Sequence, residues 1–200
     1  MPNVRIKRER TKGWRKPPGC KIVDRTSDFG NPFTVAQLVD IGYAEPQART
    51  MVITEFRSWL RGSRANWAAD EADQRREKLL TRMPELHGMD LACPCEEDEA
   101  CHGDVLLEWG ALPLVALEVR IASARARVDR QRAFQGMKPL HDAAALTAVL
   151  TRDVGPRLLV DVDLGDGIPQ RWDSGTWSQY LASQRRAEEQ VTARLVEVFA

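Results

Sequence analysis

Residues 89–109 constrain this chain more than any other stretch. Met89-Asp-Leu-Ala-Cys-Pro-Cys95 is a short apolar run released by Gly88, and Glu96-Glu-Asp-Glu99 is an acidic break. Cys101-His-Gly-Asp-Val-Leu-Leu-Glu-Trp109 then places Val105, Leu106 and Trp109 on one helical stripe. The run before the break is too brief for periodicity alone to identify, but its position after a glycine and before a polar loop suits a buried strand. The order is strand, cysteine loop, helix, which is the repeating unit of α/β domains.

Three of the four cysteines, Cys93, Cys95 and Cys101, fall within nine residues, and His102 follows directly. No apolar leader follows Met1, and no run approaches the ~18 residues of a membrane helix. A cytoplasmic protein without a membrane partner is expected, in a reducing compartment where cysteines serve as thiols or metal ligands. Three readings of the cluster stay open. In the first, zinc is the cofactor and Cys93, Cys95, Cys101 and His102 are its ligands, since the ion favours thiolate and imidazole. The C-x-C spacing and the adjacency of Cys101 and His102 suit a closed tetrahedral site poorly. In the second, Cys101 opens a helix whose free N–H groups lower its pKa and hold a phosphate. His102 then acts as base, acid or phosphate contact, and Asp104 lies in the same turn, so Cys101, His102 and Asp104 form a candidate catalytic group. In the third, Cys93 and Cys95 are small strand residues, Cys101 is a buried thiol and His102 caps the helix. Cys20, in a Pro-Pro-Gly-Cys loop, is expected to lie apart.

Charge is the second signal. The chain as a whole is neutral, with 29 basic and 29 acidic residues, yet its first 25 residues hold nine bases against two acids. Within that arm, Lys12-Gly-Trp-Arg-Lys-Pro-Pro-Gly19 forbids regular structure. Its bases suit phosphates and Trp14 suits stacking on a base, which makes Trp14 and Arg15 candidate contacts to a nucleotide or nucleic acid. The alternative is a solvated arm. Strands are expected at 4–7 and 21–24, helices at 46–62 and 66–82, and a loop at Asp28-Phe-Gly-Asn-Pro-Phe33. Beyond Gly110 the character changes, so the chain divides into an α/β domain, 1–111, and a mainly helical extension, 112–200. The extension contains an Arg-rich helix over 112–134, a helix at 143–150, a strand at 157–164, a Gly165-Asp-Gly turn and a final helix over 176–199. Asp161 and Asp163 leave one face of that strand, either to hold Mg²⁺ or because the face is wet.

Arg25, Gly30-Asn-Pro-Phe33, Leu91-Ala-Cys-x-Cys95 and Cys101-His-Gly-Asp-Val-Leu106, preceded by Lys12-Gly-Trp-Arg15, resemble a domain-of-unknown-function family, number 4326, of bacteria and phages. The likeness runs over about residues 4–111. The family has Cys-Trp-Cys where this chain has Cys93-Pro-Cys95, and Trp in place of Phe29. The resemblance implies an α/β domain of phage or bacterial origin with no established activity, so it locates a site without naming a reaction.

If strands 21–24 and 89–93 are parallel in one sheet, the Gly30–Phe33 loop and the cysteine loop emerge at carboxyl ends, where open α/β sheets bind ligands. Arg25 and Asn31 then join the site as ligand-orienting residues. The expected fold is α/β, a small Rossmann-like sheet with flanking helices plus the helical extension. The expected function is an enzyme-like domain that binds or acts on a nucleotide or nucleic acid through the Cys/His site. Its rival is a non-enzymatic module, stapled by zinc, that grips nucleic acid or a protein.

Overall fold

Leu91, Ala92 and Cys93 are apolar and buried, which a strand tolerates only when both of its edges are paired. In the computed structural model, which describes residues 3–9 and 11–151 and the backbone of 160–163 and 169–172, that strand is central. Strands β1 (Arg5–Lys7), β2 (Cys20–Ile22) and β3 (Asp90–Cys93) form a parallel sheet in the order β1-β3-β2. Arg5 pairs with Leu91 and Lys7 with Cys93 on one side, and Cys20 with Asp90 and Ile22 with Ala92 on the other. Arg8 N donates to Cys93 O at 2.9 Å and Val23 N to Ala92 O at 3.0 Å. All three carboxyl ends therefore meet at one edge of the sheet. Charged Arg5, Lys7 and Lys21 lie on the flanking strands, as edges require.

The helices are α1 (Val35–Asp40), α2 (Glu45–Leu60), α3 (Asp70–Arg82), α4 (His102–Gly110), α5 (Leu114–Phe134) and α6 (Ala143–Leu150), with a 3₁₀ turn at Met83–Leu86. Along α2, Ala48, Val52, Phe56, Trp59 and Leu60 are buried at helical spacing. Helix α3 begins at Asp70 and not at Asn66 as expected, because Asp70, Glu71 and Asp73 favour the positive end of a helix dipole. Helix α1 is absent from the sequence expectations: Thr34 caps it through Gln37 N, but it buries nothing, so no apolar stripe announces it. Trp109, Val105 and Leu106 of α4 enter the core with Phe29, Phe56 and Trp59.

The charged face of α3 is not uniformly wet. Asp73 and Arg76 are buried, and Arg76 donates to Trp59 O and Ser63 O, both at 2.6 Å, which satisfies carbonyls at the end of α2. Arg64 and, from α5, Arg132 also reach Asp73. Leu117, Ile121 and Ala124 of α5 belong to the same core.

Residues 1–150 form one compact unit. In the other, 151–200, β4 (Val160–Asp163) pairs antiparallel with β5 (Pro169–Trp172), Asp161 opposite Arg171. The expected turn at Gly165 and the helix over 176–199 lie outside the described residues. The fold is mixed α/β. Among the described residues no helix is long and apolar enough to cross a membrane.

Candidate metal and ligand site

Strand β3 ends at Cys93, Pro94 turns the chain, and Cys95 follows, so two thiols leave the carboxyl edge of the sheet together. Their sulfurs are 3.5 Å apart. The loop returns at Cys101, the N-cap of α4, whose extended backbone aims Sγ at Gly103 N, 3.3 Å away. The sulfurs of Cys93, Cys95 and Cys101 all lie within 4.8 Å of one another. Tetrahedral zinc with bonds of about 2.3 Å needs sulfurs about 3.8 Å apart, so small rotamer adjustments suffice to ligate one ion. As expected, Cys20 is not part of the cluster.

His102 lies beside the cluster without joining it. Its Nδ1 is 3.9 Å from Cys101 Sγ, and its Nε2 is 2.5 Å from Val23 O. A carbonyl only accepts, so Nε2 carries the proton and Nδ1 keeps its lone pair. The ring packs edge-on against Phe56. Burial holds its pKa below the ordinary value despite the Val23 hydrogen bond, which leaves a neutral imidazole.

The thiols are not equivalent. Thiol hydrogen bonds from Cys101 and Cys93 hold Cys95 well below the ordinary thiol value, against the effect of burial, and the charge of Arg49 acts in the same direction. Cys101 is raised by the bonds it makes to Cys93 and Cys95 and by burial. Cys93 is also raised: the bond from Cys101 lowers it, but Cys95 and burial outweigh that. Cys95 is the half-exposed member, whereas Cys93 and Cys101 are buried.

The cluster opens on a cavity of about 160 Å³ lined by Cys93, Cys95, His102, Arg25, Asn31 and Arg49, with Val52 and Ile53 among its apolar walls. The structure thus brings Arg25 and Asn31 to the cysteine loop. Asn31 shapes its own loop, with Oδ1 accepting from Phe33 N at 2.9 Å and Nδ2 donating to Val52 O. Arg25 Nη2 donates to Phe33 O at 2.7 Å. A side chain at Gly30 would place Cβ 2.6 Å from Arg25 Cα, so only glycine lets the loop close on the strand end. Asp104 faces Arg5 instead of the cavity, and neither Trp14 nor Arg15 lines it.

Four bases of the arm are ion-paired. Arg5 meets Asp104, Lys7 meets Glu96, Arg8 meets Asp24 and Lys21 meets Glu85. Lys12, Arg15 and Lys16 stay exposed around half-buried Trp14, and Arg10 lies outside the described residues. Sequence reasoning missed Arg49, on α2, and the role of Arg5. The acidic loop opposite a basic strand was the one available signal.

A family model described as a domain of unknown function (DUF4326) matches residues 6–111. No curated protein and no solved structure matches the chain.

Proposed function

The chain belongs to this family of unknown function, and from that premise we propose that its site is a zinc–thiolate centre serving an enzyme-like, Rossmann-like domain that takes the end of a nucleic acid or a nucleotide. One observation carries the reading: three cysteine sulfurs within 4.8 Å of one another at the carboxyl edge of a parallel sheet, beside a cavity. Cys93, Cys95 and Cys101 supply three ligands, and the fourth corner goes to His102 Nδ1 after a small ring movement or to a ligand in the cavity. In the second arrangement a bound ion would supply Lewis-acid chemistry to that ligand, while the Nδ1 lone pair of neutral His102 serves as the nearby base and Asp104 holds the helix start through Arg5.

The cavity sets the scale of what enters. Whole-ligand pockets run to about 300–1,000 Å³, so about 160 Å³ takes one phosphate or one base, not an entire nucleotide. Arg25 offers positive charge there, Arg49 lines the same cavity while paired with Glu45 and Glu99, and the exposed Lys12, Arg15 and Lys16 extend the charge outward for a backbone. Residues 112–200 are proposed as an extension appended to the family domain, whose match ends at residue 111.

Burial of Cys93 and Cys101 within the hydrophobic core supports a second reading, zinc as a non-enzymatic staple. Elemental analysis of the zinc-loaded full chain, repeated for Cys93→Ser, Cys95→Ser and Cys101→Ser, tests the centre. One zinc per chain, lost in each variant, is expected; a parent that retains none overturns it. Fluorescence anisotropy with a 5′-phosphorylated single-stranded oligonucleotide tests the ligand. Binding that is absent, or unchanged when the thiols are removed, rejects the nucleic-acid reading.

A further inference from the structure

Arg5 makes more hydrogen bonds to the cysteine loop than any other side chain described. From β1 its Nη1 donates to Glu96 O at 2.8 Å and Cys95 O at 3.4 Å, and its Nη2 to Glu97 O at 2.8 Å and Glu99 O at 3.1 Å. Its Nε donates to Asp104 at 2.9 Å, in the first turn of α4. One planar guanidinium, its side chain 10% exposed, therefore ties together the loop between the second and third thiols and the helix that carries the third. Gly103 is part of the device. A Cβ there would approach Arg5 Cδ to 3.2 Å, so the glycine after Cys101-His102 leaves room for the arginine stem.

We infer that Arg5 is a positioning residue that holds the loop in its ligating shape, so that metal enters a preformed site and does not have to fold one. The inference rests on the metal reading above. Its physical content is twofold. A loop carrying Glu96, Glu97, Asp98 and Glu99 repels itself, and four of its carbonyls converge on one point, two of them, Cys95 O and Glu99 O, at part-buried positions where a lost donor is costly. Arg5 meets both needs with a charge and a fan of donors. Three thiolates around a divalent ion also leave a net negative charge, which the guanidinium beside Cys101 and Cys95 offsets.

Lysine keeps the charge and the Asp104 pair but cannot span four carbonyls, so it separates positioning from simple pairing. The test is a Co²⁺ titration of the full chain stripped of metal, read by the thiolate-to-cobalt charge-transfer and d–d bands. Thermal unfolding of each metal-free protein is measured in parallel. Arg5→Ala and Arg5→Lys are expected to weaken Co²⁺ binding by about 10-fold or more, the range typical of outer-shell partners. Gly103→Ala, which pushes the stem aside, weakens it less. Arg5→Lys binding Co²⁺ as tightly as the parent, with the same spectrum, overturns the inference while leaving the metal centre standing. A parent without thiolate-to-cobalt bands overturns the centre and the inference together. Should Arg5→Ala fail to fold, the lysine and Gly103→Ala variants decide.

Discussion

Substituting Cys101 separates the two tasks of one sulfur, capping α4 and forming a corner of the thiol cluster. Serine ranks among the best N-cap residues and alanine among the poor ones, a difference of about 1 kcal/mol. The backbone at Cys101, φ −134 and ψ 142, already has the extended geometry a cap uses, so serine requires no rearrangement. Its oxygen accepts from Gly103 N as the sulfur does. The site is buried, so the smaller oxygen loses packing worth about 1 kcal/mol, comparable to deleting one methyl group from a core. Cys101→Ser should therefore cost about 1 kcal/mol and Cys101→Ala about 2, both well inside the 5–15 kcal/mol of a typical domain. Urea unfolding of the metal-stripped chain, followed by tryptophan fluorescence, measures both, and zinc content is determined alongside. Both variants are expected to fold and neither to keep the three-thiol zinc site. Equal stabilities for serine and alanine would refute the cap, and a serine variant that unfolds without metal would refute the separation of fold from site.

Three further outcomes follow from the structure. His141 Nε2 lies 2.9 Å from Glu77 and Nδ1 3.0 Å from Asp129; the Glu77 bond raises its pKa most, burial opposes, and Asp129 adds. Its stabilising contribution is complete below its ordinary value of 6.5 and fades as pH rises through the raised native value, so denaturant midpoints should fall across that window and His141→Ala should flatten the fall. Gly30→Ala forces Cβ to within 2.6 Å of Arg25 Cα and should cost about 1–3 kcal/mol, read as a lower thermal midpoint; an unchanged midpoint means the loop relaxes freely. Replacing Lys12, Arg15 and Lys16 by glutamine should reduce the salt dependence of single-strand binding by about 0.7 in log–log slope for each phosphate that is no longer neutralised. Replacing Arg8, which is held by Asp24, should change that slope least.

Much of the site was legible in the sequence because its parts are local. Cys93 and Cys95 end a strand, Cys101 and His102 start a helix, and the loop joining them is too short to part them widely. The crevice with Arg25 and Asn31 followed from one longer inference, that two strands are parallel, because parallel strands bring their following loops to one edge. Charge counted along the basic arm ignores pairing, which only the folded chain reveals. Arg5, Lys7, Arg8 and Lys21 find acids 16 to 99 residues away, while Lys12, Arg15 and Lys16 stay exposed.

By itself the sequence determined the element order around the cysteines, the apolar stripes of α2 and α4, and the grouping of three thiols apart from Cys20. These depend on spacing within a few residues, which periodicity and turn chemistry report directly. Only the tertiary structure decided that Cys93 and Cys95 line the cavity, that His102 stands beside the cluster with its Nε2 hydrogen committed to Val23 O, and that Arg5 grips the loop. Each of these depends on hydrogen bonds and burial between segments roughly 80 to 95 residues apart, and such pairing leaves no period in the chain.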